Sequence, residues 1–160
     1  MADAHGGVVH WVTKRGIKIN RAATAWLIRR FIDPDAVFVF VSAGEVAHEA
    51  RRLGGTGFHA PGTAYPARDA RGRTPFEALV EDRCADDAAL RAMSVIVRHA
   101  DAPQEIEVPE AAGLRLISGA FPLIARDDAE TVEGSAFLYD ALYAALAHRE
   151  GRLSSPASSD

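Results

Sequence analysis

Residues 8–41 read VVHWVTKRGIKINRAATAWLIRRFIDPDAVFVFV. The opening run Val8–Thr13 is rich in β-branched and aromatic residues and meets a turn at Lys14-Arg15-Gly16, which predicts a strand. From Asn20 to Ile32 the period becomes helical. At about 100° per residue, Thr24, Leu27, Ile28, Phe31 and Ile32 fall on one side. Pro34 closes that helix, because the residue before a proline is pushed out of the α region. Ala36–Val41 is then a continuous apolar run, the pattern of a strand covered on both faces. Strand, helix and strand make a βαβ unit, expected to cross over in the right-handed sense.

Downstream the signals are those of helices. Ser42-Ala43-Gly44-Glu45 has capping-box spacing. Val46, Ala50 and Leu53 form the buried stripe of that helix, and Gly54-Gly55 stops it. Residues 54–73 hold five glycines and two prolines, with room for short strands near Gly57–His59 and Thr63–Tyr65. Thr74-Pro75-Phe76-Glu77 joins an N-cap, a proline at the first helical position and a reciprocating glutamate, so a helix should run to about Cys84. Asp86 is expected to cap the next helix, whose inner face carries Leu90, Met93, Val97 and Ala100. Pro109 opens another through Leu123, weakened by Gly119 and Pro122. Asp127 and Glu130 cap a long last helix with Val132, Ala136, Tyr139, Tyr143 and Leu146 on one face. The expected fold is α+β: a small N-terminal βαβ unit with a mainly helical C-terminal part, in a single domain over residues 8–150. Residues 1–7 are expected to form a flexible lead and 151–160 a polar, serine-rich disordered tail.

Composition narrows the function classes. The chain has 160 residues and 17.1 kDa, net charge −4 and a pI of 5.8. That length buries a core without disulfides or metals as staples. No apolar run approaches the roughly 20 residues that span a bilayer, and the acidic N-terminus lacks the basic region of a secretory signal. A cytoplasmic protein without membrane contact is expected. The acidic balance argues against direct nucleic-acid binding, which needs a basic surface. A lone cysteine, Cys84, excludes an internal disulfide and a cysteine-ligated metal cluster. Sixteen arginines against two lysines, beside 31 alanines, follow most simply from a GC-rich genome, so arginine counts alone carry no weight.

Three clusters remain. Lys14, Arg15, Lys18 and Arg21 place four cations between a strand end and a helix start, where α/β units bind ligands and helix amides favour anions. The competing reading is a solvated surface loop. Trp26 lies between Arg29 and Arg30, two guanidiniums able to clamp an oxyanion or to dock a second copy as a homodimer. Equally, either arginine can pair with Asp33, leaving Trp26 to pack on the C-terminal helices. Arg98-His99-Ala100-Asp101 ends a helix. With His10 and His59, His99 offers metal-ligand types, although no HxxxH or HExxH spacing exists and a lone histidine is commonly structural. His5, His48 and His148 read as surface residues. GxSxG, phosphate-loop and dinucleotide motifs are absent.

The block Ile19–Pro34, with Trp26-Leu27-Ile28-Arg29-Arg30-Phe31-Ile32-Asp33 at its centre, resembles the C-terminal domain of the chromate-resistance ChrB family. The likeness continues through Val37–Val41, Thr74–Glu77, Ile96–Asp101, Glu110–Leu114 and Tyr139–Tyr143, over roughly residues 8–147. The resemblance implies a chromate-resistance module that binds or senses a small inorganic oxyanion. Lys18, Asn20, Arg21, Arg29, Arg30 and Arg98 would face the anion, and Asp101 would hold an arginine in place. Longer members add an N-terminal segment, and any DNA-binding role residing in that segment does not carry over. Where the family pattern has an aspartate this chain has Asn20, and it has no histidine in Tyr65–Arg68. An arginine-lined anion site is therefore expected ahead of a metal or redox enzyme built on His10, His59 and His99, and no cofactor is expected.

Overall fold

The computed structural model describes residues 8–102 and 108–154, so the expectations for residues 1–7 and 155–160 lie outside the described residues. Strand β1 (His10–Lys14) pairs in parallel with β2 (Val37–Val41) and with the short β3 (Thr56–Gly57), in the order β2-β1-β3. Between β1 and β2 runs α1 (Ile19–Leu27), prolonged by a π-helical turn over Ile28–Ile32 in which the Asp33 amide donates to the Ile28 carbonyl. The predicted βαβ unit is present. Helix α2 (Val46–Arg52) connects β2 to β3. Then come α3 (Pro75–Arg83), α4 (Ala88–Asp101), α5 (Pro109–Gly119), the single turn α6 (Phe121–Ile124) and α7 (Asp128–Ser154). The fold is α+β, as expected. Helix α7 carries through Ser154, past Gly151 where a tail was expected to start.

Alternation along β1 explains the two cores. Trp11 joins the large core with Phe58, Leu27, Met93 and Tyr139, while Val12 points to a small core with Val46, Ala50 and Ala60 under α2. Likewise Phe38 and Phe40 of β2 pack on the large core, and Val39 and Val41 on the small one. The apolar run is thus faced on both sides, as its composition predicts, although it occupies a sheet edge.

Thr74 and Glu77 form the full capping box, and Leu53-Gly54-Gly55 closes α2. The Gly54 amide donates to Arg51 O at 3.1 Å and the Gly55 amide to Ala50 O at 2.8 Å, with Gly54 at φ +61°; this is a Schellman stop. Two expectations need correction. Asp87, not Asp86, caps α4 by accepting from the Leu90 amide at 2.9 Å. Ser42 and Glu45 do not cap reciprocally: their side chains bond each other, and the segment Ala43–Glu45 is a 3-10 turn. Gly119 and Pro122 do break the helix begun at Pro109, at Ala120.

Candidate functional site

A parallel sheet ordered 2-1-3 has its topological switch between strands 1 and 3, and ligands of such folds bind beyond the carboxyl ends there. Here the switch point lies between Lys14, which ends β1, and His59, which follows β3. The ladder continues past β3, because the Phe58 amide donates to Val12 O at 2.9 Å. Thr13 Oγ1 donates to Phe58 O at 2.9 Å and braces the same corner. His59 has φ +58°, alone among the described non-glycine residues in the left-handed region. Such strain persists only where the surroundings impose it, and it collects at functional sites.

The first turn of α1 lies close to the same corner, since the Arg21 charge acts on His59. Lys18 occupies the N-cap without a capping side chain, and no acid sits in the first turn. Asn20 is 2% exposed; its Oδ1 accepts from Thr24 Oγ1 at 3.2 Å, while its Nδ2 is buried without a partner. Arg21 Nη2 donates to Gly16 O at 2.7 Å, and its Nε is buried without a partner. Burial depresses the Arg21 pKa, and the carboxylates of Asp101 and Asp128 partly offset that effect. Burial also lowers the His59 pKa, helped by the Arg21 charge and, more weakly, by Lys14, and opposed by Asp101. Arg21, His59, Lys14 and Asp101 therefore share one electrostatic neighbourhood.

The lowered His59 pKa has a stability consequence. The unfolded imidazole takes up its proton near pH 6.5, whereas the folded one resists until lower pH. The contribution is complete above about pH 6.5 and is lost as pH falls through the folded value. His59→Gln is expected to flatten the acid limb of stability, measured as urea midpoints between about pH 7.5 and 5. Equal slopes for the two proteins would remove this assignment.

The remaining sequence-predicted residues divide by what they touch. Lys18 is exposed. Arg98 is held by Glu77 at 3.0 Å, and the other oxygen of Glu77 accepts from the Thr74 amide at 2.7 Å. Asp101 makes no ion pair with an arginine among the described residues, contrary to its expected clamp role, and acts on Arg21 through its charge. Arg29 pairs with Glu133, and Arg30 with Asp140 at 3.2 Å. Asp33 instead accepts from Trp11 Nε1 at 3.1 Å, so neither expected Arg–Asp33 pair forms. Trp26 packs between Phe31, Tyr139 and Tyr143, joining α1 to the last helix as the structural reading expected.

The histidines do not converge. His10 starts β1 and His59 follows β3, four residues apart along parallel strands, or roughly 13 Å at 3.3 Å per residue. His99 lies on α4 with its Nδ1 buried and unpartnered. Among the described residues no group of three histidine, cysteine or acidic side chains could hold a metal ion, and no helix is long and apolar enough to cross a membrane.

Lys14 stands where the cation cluster was expected, but one participant, Asp128, is not among the expected site residues. The cap of α7 is its neighbour Asp127, as expected, which accepts from the Glu130 amide at 2.8 Å. Asp128 instead reaches the β1–α1 turn and accepts from the Gly16 and Ile17 amides at 3.0 and 2.8 Å. An internal carboxylate thus takes the turn donors expected for an anion, which moves the candidate site to Asn20, Arg21 and His59. The signal was the redundancy of two acids where one cap suffices.

The chain matches the family described as ChrB, C-terminal domain, over residues 11–146. A 31-residue stretch is 52% identical to Protein ChrB of Cupriavidus metallidurans, covering 19% of this chain and 10% of that protein. The match thus spans about a tenth of the relative's length. No solved structure matches the chain.

Proposed function

The chain belongs to the family of ChrB C-terminal domains, and from that premise we propose that it is a chromate-resistance module binding a small inorganic oxyanion in the crevice between β1 and β3. One observation carries this reading. Asn20 and Arg21, adjacent on the first turn of α1, each bury an N–H donor that no protein group among the described residues accepts. An unmet buried donor costs about 1–3 kcal/mol, and the natural acceptor beside a helix N-terminus is an oxyanion. Arg21 supplies charge, Asn20 a neutral donor, and Lys14 lines the approach. Neutral His59 offers a further donor, and Asp101 offsets the positive field so that the crevice stays selective for guests able to displace it.

Calorimetric titration with chromate, sulfate and phosphate tests the proposal. Arg21→Ala is expected to weaken binding about tenfold or more, the equivalent of one charge-assisted hydrogen bond. Asp101→Asn, which removes a like charge, should tighten it. Equal, millimolar-weak binding by the parent protein and Arg21→Ala would overturn the assignment.

A further inference from the structure

Strand β2 has the sequence Val37-Phe38-Val39-Phe40-Val41 and lies at the edge of the sheet. Its inner side is fixed by two hydrogen bonds: the Val37 amide donates to Val9 O at 3.1 Å, and Val41 O accepts from the Arg15 amide at 2.9 Å. Because main-chain groups alternate along a strand, Val37, Val39 and Val41 bond towards β1, and the N–H and C=O of Phe38 and Phe40 point outward. Among the described residues nothing pairs with them. Three defences of an edge are absent: residues 37–41 contain no proline and no charge, and the strand has no bulge in its register with β1.

We propose that this edge pairs with the β2 of a second copy of the chain, antiparallel about a two-fold axis at Val39. The sequence itself argues for a second copy, since it is a palindrome centred on Val39. Two-fold pairing sets Phe38 against the partner's Phe40, Val37 against the partner's Val41, and Val39 against its own counterpart. The outward N–H and C=O groups of the two phenylalanines then meet as hydrogen-bonded pairs, giving four new bonds. Opposed residues in an antiparallel pair share a face, so the phenylalanine faces of both sheets join, as do the valine faces. A depression beside the edge, lined by Ala36, Val37, Phe38, Phe40, Val132 and Glu133, receives the partner's ring. Arg29 already stacks on Phe38 at 5.0 Å and borders the same depression. The dimer is a continuous six-stranded sheet, and its contact differs from the Trp26/Arg29/Arg30 face considered from sequence.

The test needs no ligand. Sedimentation from about 1 μM to about 1 mM is expected to show a monomer–dimer equilibrium. Residue-resolved amide exchange should show Phe38 and Phe40 becoming protected with concentration, while Val39 is protected throughout. Val37→Lys acts at a position 41% exposed, so the fold should survive, as circular dichroism will report. It brings a cation beside the partner's Val41, whose neighbour in the sheet is Lys14, and should weaken association at least about tenfold. A monomer at every concentration overturns the proposal. So does a dimer that leaves the Phe38 and Phe40 amides in fast exchange, or one untouched by Val37→Lys.

Discussion

Trp26→Ala is expected to lower the unfolding free energy by about 3–5 kcal/mol, the range for truncating a buried large aromatic. Trp26 is 4% exposed and belongs to the large core. Its ring centroid lies 5.5 Å from Phe31, 6.0 Å from Tyr139 and 6.1 Å from Tyr143. The indole Nε1 donates to Asp140 Oδ1 at 2.9 Å, and the same oxygen receives Arg30 Nε. Alanine therefore leaves a cavity between α1 and α7 and removes one donor from Asp140. Trp26→Phe keeps most of the apolar volume and should cost clearly less. Urea unfolding followed by circular dichroism reads both; a loss below about 1.5 kcal/mol for the alanine variant, the level of a minor core change, would show that the aromatic junction is not central to the fold.

Gly55→Ala is the second large effect. A Cβ at this position would lie 2.3 Å from the His10 carbonyl oxygen. That neighbour is backbone in the central strand, so no rotamer change relieves the overlap. Either β3 withdraws from β1 or the Schellman turn opens, and the loss should be about 3 kcal/mol, near the top of the overpacking range. Gly54→Ala is the matched control. Its φ of +61° penalises a side chain, but nothing lies within 4 Å of the added carbon, so about 1–2 kcal/mol is expected. Thermal unfolding should rank the two with Gly55→Ala the less stable. Anion affinity should also fall in Gly55→Ala, because β3 delivers His59 to the crevice. The reverse order would mean that the close approach of Gly55 to His10 does not constrain the fold.

Local chemistry was legible in the sequence. The βαβ unit, the Thr74–Glu77 box, the glycine stop after α2 and the face of α7 all depend on residues within a few positions of one another, where periodicity and capping govern. Misreadings arose wherever a partner came from far along the chain. Arg29 and Arg30 have Asp33 close by, yet they pair with Glu133 and Asp140 because the π turn and α7 place those acids in reach. Asp128 adjoins the helix cap Asp127 in sequence, and only the fold carries it to the β1–α1 turn. His59 and Arg21 share a field through the β1–β3 register, which no local pattern encodes. The cations were correctly located at the strand-to-helix junction, but their division into bonded, exposed and buried members is a property of the folded chain.

The bonds from Gly16 and Ile17 to Asp128 join positions 112 and 111 residues apart. During translation the first turn leaves the ribosome long before its carboxylate partner has been polymerised, so the nascent protein carries an unlocked β1–α1 turn until α7 emerges. Contacts of such long sequence separation come late and slow the search for the native state. The β1–α1 turn therefore gains its fixed geometry only once a helix made more than a hundred residues later has folded back onto it.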